Sequence, residues 1–331
     1  MLSADKKIFV AGASGMVGSS VVRALKSRDI TGLLTPSSKD VDLTDQRQVK
    51  DFFSSNSPEV VVVAAAKVGG VLANDTYRAD FIYQNLMIEA NVIHAAYESN
   101  VGKLILLGSS CIYPRNAEQP MKEEELLSGY LEATNEPYAI AKIAGIKLCE
   151  SFYRQYGCNF FSLMPTNLYG PNDNFDLEKS HVIPALIRKF HEAKESNSAA
   201  VTIWGSGRPR REFMHVEDLA SAIVFALDGV NADDIYGNGI SHLNVGTGTD
   251  IEILEVAKMI SEIVGFQGEI NTDPSKPDGT PRKLLDVSRM HSLGWRHRIE
   301  LRAGLKDAYE WYLQNVAGEQ GPRVQSLRNL V

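Results

Sequence analysis

Apolar positions fall along the chain in two periods. Ile8-Phe9-Val10, Val60 to Ala65 and Lys103 to Leu107 are short, nearly continuous apolar runs, with the length and branched content of strands buried on both faces. Between them lie longer stretches of helical spacing, 19–28 after the first run and 80–99 before the third. A further strand should end near Leu34, and another helix opens beyond Asn135, which reads as its N-cap with Pro137 in the first turn. Alternating strand and helix predicts an α/β protein with a doubly wound parallel sheet, receiving ligands at the carboxyl ends of its strands.

After Met164 the pattern loosens into loops and short helices, and Pro165-Thr166-Asn167-Leu168-Tyr169-Gly170-Pro171 reads as a hinge. Arg210 to Leu219 reads as the start of a helix that returns to the sheet. The expected organisation is a large domain over 1–168 with a return segment near 214–246, and a smaller, discontinuous α/β lobe over 169–213 and 247–320. Gly318-Glu319-Gln320-Gly321-Pro322 breaks the pattern and opens a tail over 321–331.

A length of 331 residues exceeds the usual size of a single core, in keeping with a domain plus a lobe. The net charge of -7 argues against nucleic acid or an anionic membrane as a partner. The longest apolar run, Val60 to Ala66, falls far short of the ~20 residues that cross a bilayer. The N-terminus enters its first strand without the apolar region of a signal peptide, so a cytoplasmic protein is expected. Cys111, Cys149 and Cys158 show no metal-ligand spacing, and no metal is expected.

Chemistry concentrates in three places. Gly12-Ala13-Ser14-Gly15-Met16-Val17-Gly18 follows the first strand and precedes a helix. Glycines at this G-x-x-G-x-x-G spacing permit a tight turn, bring backbone N–H groups to a pyrophosphate, and let the helix pack close to the sheet. Past Leu34, where a carboxylate would bind the ribose 2′-hydroxyl of NAD, stand Thr35-Pro36-Ser37-Ser38-Lys39, which suit a 2′-phosphate and favour NADP(H). Asp40 follows at once. Tyr138 and Lys142, four residues apart, share one helix face. A free tyrosine has a pKa near ~10, and a fixed lysine ammonium beside it would lower that value toward neutrality.

These residues, in this order, resemble the extended short-chain dehydrogenase/reductases, nucleotide-sugar enzymes with a Rossmann NAD(P) domain and a small substrate lobe. The resemblance extends through Ala64 to Gly70, Gly108-Ser109-Ser110-Cys111-Ile112-Tyr113-Pro114, Asn135 to Lys142, Pro165 to Pro171, Ser180 to Pro184 and Ser275 to Lys283. It covers nearly the whole chain. It implies NADP(H) as cofactor and a GDP-sugar as substrate, epimerised at C3 and C5 beside a C4 ketone and then reduced at C4. One position departs from the pattern: some members carry an arginine where this chain has Ser14, which leaves the 2′-phosphate to Ser37, Ser38 and Lys39.

By the same resemblance, Tyr138 donates the proton in reduction, Lys142 lowers its pKa and binds ribose, and Ser109 donates a hydrogen bond to the keto oxygen. Cys111 is the expected base for epimerisation, a thiol of pKa ~8.5 that needs only modest help to ionise, and His181 the opposing acid. The implied cofactor contacts are Gly12 to Gly18, Ser37, Ser38, Lys39, Asp42, Leu43, Ala64, Ala65, Leu107, Gly108, Ser109, Ser110, Lys142, Pro165, Thr166, Asn167, Leu168 and His181. Lys189, Trp204, Arg211 and Asp278 are the expected substrate ligands, with Arg188, Arg208 and Arg210 as further cations near the diphosphate. The long helices over 80–99 and 138–156 are apolar on more than one face, and the resemblance implies that such helices pair across a two-fold axis, so a homodimer is expected.

Two other readings stay open at this point. A sister 4-epimerase or 4,6-dehydratase would use the same fold with NAD, although dehydratases carry a Thr-Asp-Glu-like run where this chain has Ser109-Ser110-Cys111. A non-catalytic NADP(H)-sensing protein would have no need of Tyr138, Lys142, Ser109, Cys111 and His181 together.

Overall fold

The computed structural model describes residues 2–177, 180–276 and 278–318. The tail expected over 321–331 lies outside them. The first half of the chain runs β1 (Ile8–Ala11), α1 (Met16–Lys26), β2 (Leu33–Leu34), α2 (Gln46–Asn56), β3 (Val60–Val63), α3 (Val71–Thr76), α4 (Arg78–Glu98), β4 (Lys103–Leu107), α5 (Glu136–Tyr156) and β5 (Phe160–Pro165). Then come β6 (Asn167–Tyr169), α6 (Val182–Glu195), β7 (Ala200–Trp204), β8 (Arg210–His215), α7 (Val216–Gly229), α8 (Ala232–Tyr236) and β9 (Leu243–Val245). The last part forms β10 (Asp250–Glu252), α9 (Ile253–Val264), β11 (Glu269–Asp273), β12 (Arg282–Lys283), α10 (Ser288–Ser292) and α11 (Leu301–Asn315).

The main sheet has six parallel strands in the order β2-β1-β3-β4-β5-β9. Because successive strand residues face opposite sides, Ile8, Val10, Val60, Val62 and Ile105 pack into one core with α1 and α7. Phe9, Val61, Val63, Leu104 and Leu106 pack into another with α2, α4 and α5. That is the doubly wound arrangement the apolar runs predict. The reversal of strand order between β1 and β3 opens a crevice at the carboxyl edge, where such sheets receive ligands.

A second lobe is built on β8, which pairs with β10, β12 and β6, and on the separate pair β7 and β11. Its core joins Ile187, Phe190, Val256, Ile260, Leu305 and Tyr309 from α6, α9 and α11. Two expectations change here. Arg210 to His215 is a strand, and the returning helix starts only at Val216. The strand looks polar in sequence because Arg210 pairs with Asp250, and Glu212 is buried as an acceptor for the backbone N–H groups of Thr247, Gly248 and Leu285. The boundary at 247–320 also fails in part, since Met290 and Trp295 pack into the sheet core with α7.

Candidate active site

The glycine turn shows three distinct reasons for glycine. Gly12 has φ +81, in the left-handed region, and a Cβ there would lie 2.8 Å from the backbone of Ala65. A Cβ on Gly18 would fall 2.1 Å from the Gly12 carbonyl oxygen, so α1 sits against the turn only with glycine in place. Gly15 is the N-cap of α1 and makes no side-chain cap, leaving the first-turn N–H groups toward the crevice.

At the end of β2, Asp40 accepts hydrogen bonds from the Ser37 backbone N–H (2.8 Å) and hydroxyl (2.6 Å). Ser37 is therefore already engaged, and Ser38 and Lys39 stand exposed beside it. Asp42 likewise accepts from the Thr44 N–H and hydroxyl. The Leu43 carbonyl accepts from Asn91, tying this loop to α4.

One cleft runs from the glycine turn across the sheet edge into the second lobe, with a volume of about 1160 Å³. Ser109, Tyr138, Lys142 and His181 all stand on its walls, as do Ala64, Leu107, Gly108, Ser110 and Pro165 to Leu168. The helix carrying Tyr138 starts where the sequence places it, at Glu136 after Asn135, although the Asn135 side chain makes no cap. Gly108 is held tight, since a Cβ there would meet the Met164 side chain at 2.2 Å. Ser109 follows as the N-cap of a 3-10 turn over 110–112, its hydroxyl accepting from the Cys111 N–H at 3.5 Å.

Lys142 does not do what the spacing suggests. Its ammonium lies 2.8 Å from Glu89 Oε1 on α4 and donates to the Leu107 carbonyl at 3.0 Å. It lies 5.8 Å from the centre of the Tyr138 ring. Burial, with the nearby Cys111 and Glu89, pushes the Tyr138 phenol well above its ordinary value, and the Ser109 hydroxyl draws it only partly back. The expected lowering toward neutrality is absent chiefly because the phenol is buried, with the Cys111 and Glu89 charges acting in the same direction.

Cys111 is buried in the turn behind Ser109 and does not itself line the cleft. Burial raises its thiol above the ordinary range, against the pull of Lys283, Ser109 and Lys142. The expectation of ready ionisation is corrected accordingly: the help is present, and desolvation outweighs it. His181 is the N-cap of α6, accessible at the cleft yet flanked by protein, and desolvation depresses its imidazole. Both groups are therefore neutral at pH 7.

The residues expected to hold the nucleotide form a cluster of their own in the second lobe. Trp204 ends β7, exposed, with the Lys189 ammonium 5.4 Å and the Lys276 ammonium 5.5 Å from its ring centre. Asp278 accepts from the Ser206 N–H (2.6 Å) and hydroxyl (2.8 Å), which lower its carboxyl, and Arg208 and then Arg211 lower it further. Of the neighbouring arginines, Arg210 is spent on Asp250 and Arg188 on Glu192.

Glu89, Lys276 and Lys283 are the residues that sequence reasoning passes over. Glu89 left one trace, Gly145 in the middle of α5, where a helix tolerates glycine poorly unless something approaches it. Among the described residues no cluster of His, Cys, Asp or Glu could hold a metal, and no helix is long and apolar enough to cross a membrane.

A parallel sheet with a glycine turn under its switch point, and Ser, Tyr and Lys converging on one cleft, define a dinucleotide-binding α/β protein of the reductase and epimerase class. The chain belongs to the NAD dependent epimerase/dehydratase family, whose pattern matches residues 8–246. It is 56% identical to the GDP-L-fucose synthase of Escherichia coli K12, over 94% of this chain and 97% of that one. It is 54% identical to GDP-L-fucose synthase 1 of Arabidopsis thaliana, over 96% of each. Among solved structures, a GDP-D-glycero-L-gluco-heptose synthase from Campylobacter jejuni, determined in the presence of NADPH, superposes with a TM-score of 0.89 at 40% identity, covering 95% of this chain and 100% of that one.

Proposed function

We propose that this protein converts GDP-4-keto-6-deoxy-D-mannose to GDP-L-fucose, by epimerisation at C3 and C5 followed by reduction at C4 with NADPH. The observation that carries this reading is Ser109, Tyr138, Lys142 and His181 on the wall of one cleft, with Cys111 in the turn behind.

The residues fit NADP(H). Gly12 and Gly18 leave backbone where a Cβ would intrude, Gly15 opens the N-terminus of α1 toward a diphosphate, and Ser38 and Lys39 suit the 2′-phosphate. Bound there, the reduced nicotinamide supplies the hydride for C4. Tyr138 supplies the proton to O4. A phenol kept neutral by burial is loaded for donation at any pH near 7. Ser109 would offer its hydroxyl to the same oxygen, and Lys142 would hold the cofactor ribose with its remaining N–H.

Epimerisation uses the acidity of a hydrogen next to a ketone. Cys111 accepts a proton from C3 or C5 as thiolate, charge spreads onto O4, where Ser109 and Tyr138 stabilise it, and His181 returns a proton to the other face. A neutral thiol and a neutral imidazole are what one such inversion leaves behind, and burial favours that state of each group. A proton must move from Cys111 to solvent and one from solvent to His181 before the second. Each inversion therefore places a solvent proton in the sugar.

The guanine nucleotide lies toward Trp204, with Lys189, Lys276 and Arg211 as the cations for its diphosphate. Asp278 acts by pinning the Ser206 turn beside Trp204. A second copy of the chain docks on the outer face of α4 and α5, where Tyr83, Ile140 and Tyr156 are exposed. The free cysteines suit a reducing compartment, and we propose the cytoplasm.

The purified protein, given GDP-4-keto-6-deoxy-D-mannose and NADPH, should oxidise the cofactor and release a 6-deoxy-L-galactose nucleotide. Absence of both cofactor oxidation and product would refute the reading.

A further inference from the structure

Glu89 is a carboxylate buried behind Tyr138, the counter-charge of the Lys142 ammonium. It comes from the middle of α4, is 2% exposed, and its Oε1 lies 2.8 Å from the equally buried Lys142 ammonium. Among the described residues neither of its oxygens has a hydrogen-bond partner beyond that ion pair. Removing a carboxylate from water at such a site is costly, and burial raises the Glu89 carboxyl above its ordinary value even with the Lys142 ammonium pulling it down. Gly145 keeps the space open for it: a Cβ at that position would stand 2.3 Å from Glu89 Oε2. The ammonium has three N–H donors, of which the Glu89 carboxylate and the Leu107 carbonyl hold two.

We infer that Glu89 is a positioning residue for ketone reduction, anchoring the Lys142 ammonium against Leu107 so that one N–H faces the cleft and offsetting its charge beneath Tyr138. The inference rests on the epimerase and reductase reading above. Groups facing Tyr138 are Glu89 from α4, Cys111 and Ser109 from the turn after β4, and Lys142 on its own helix, with Lys283 of β12 lying toward Cys111. Glu89 and Cys111 favour the protonated phenol, and Ser109 opposes them. Cys149 on α5 also feels the Glu89 charge. Losing that charge lets the ammonium act on the phenol, so Tyr138 sheds its proton at lower pH.

The test measures both halves of the reaction in the full-length protein with NADPH. Glu89→Gln should cut the rate of C4 reduction roughly tenfold or more, through kcat rather than KM for the sugar, and shift the alkaline limb of reduction to lower pH. Solvent-deuterium exchange at C3 and C5 should stay within about twofold of the parent value. Gly145→Ala, which displaces the same carboxylate from the other side, should show the same split, and it decides the matter if the Gln protein does not fold. An equal loss of exchange and reduction, or an unmoved alkaline limb, would overturn the role of Glu89. A parent protein that neither exchanges nor reduces would overturn the functional reading instead.

Discussion

On the reducing side of the cleft, Tyr138 and Lys142 project from one helix, α5, whose inner face is tied to α4 by the buried pair of Lys142 with Glu89. On the exchanging side, Cys111 sits in a short 3-10 turn and His181 is the N-cap of a helix of the other lobe, α6, and among the described residues no hydrogen bond joins the two. Hydride transfer needs atoms held at one geometry, and the reducing side is accordingly one rigid piece. Proton exchange needs groups that ionise and reset, and the exchanging side spans two lobes, with both groups poised as neutral species.

The sharpest way to separate the sides is to remove the phenolic oxygen. Tyr138→Phe should slow reduction on the order of a thousandfold while leaving deuterium exchange at C3 and C5 measurable. If exchange disappears with reduction, the two sides share a proton donor and the division is wrong. A weaker probe acts through the cofactor. Lys39→Ala should raise the Kd for NADPH about tenfold and leave the weaker binding of NADH almost unchanged, which direct titration of both cofactors would show. Exchange should not respond, because no step on that side depends on the 2′-phosphate.

The smallest effect concerns the floor of the exchanging turn. Tyr113, two residues past Cys111, places its hydroxyl 2.7 Å from His242 Nε2 and donates to Asn244 at 2.5 Å, all fully buried. Burial depresses the His242 imidazole to about 3, whereas an unfolded histidine titrates near ~6.5. The unfolded chain therefore takes up the proton first, and this histidine's share of stability is present above pH 6.5 and lost as pH falls below it. Urea unfolding should show the parent losing about 1 kcal/mol more than His242→Gln between pH 7 and 5.5. Equal losses would mean that His242 does not govern that window.

Legibility in the sequence follows the same division. The strands of the main sheet are buried on both faces and so write themselves as apolar runs, and the glycine turn is visible because no other residue fits at Gly12 or Gly18. Tyr138 and Lys142 are legible because helical spacing fixes their relation. β8 was hidden: its Arg210, Arg211 and Glu212 look like a solvated helix start, and their strand state depends on Asp250, Thr247 and Leu285, far away in the chain. Glu89 was hidden for the same reason. A lone acid on a long helix reads as surface until α5 is laid against it. The protonation states of Tyr138 and Cys111 are not legible in the sequence, because spacing reports which charges are near and says nothing of how much water is excluded.

The central claim is that one cleft carries two separable chemistries, and Cys111→Ser tests it most directly. The variant is incubated in deuterated water with GDP-4-keto-6-deoxy-D-mannose and NADPH, and deuterium at C3 and C5 is read alongside NADPH oxidation on a sugar already inverted at both carbons. The account predicts that deuterium incorporation falls at least about a hundredfold while reduction of the inverted sugar continues near the parent rate. Retained exchange, or reduction lost in step with it, would contradict it.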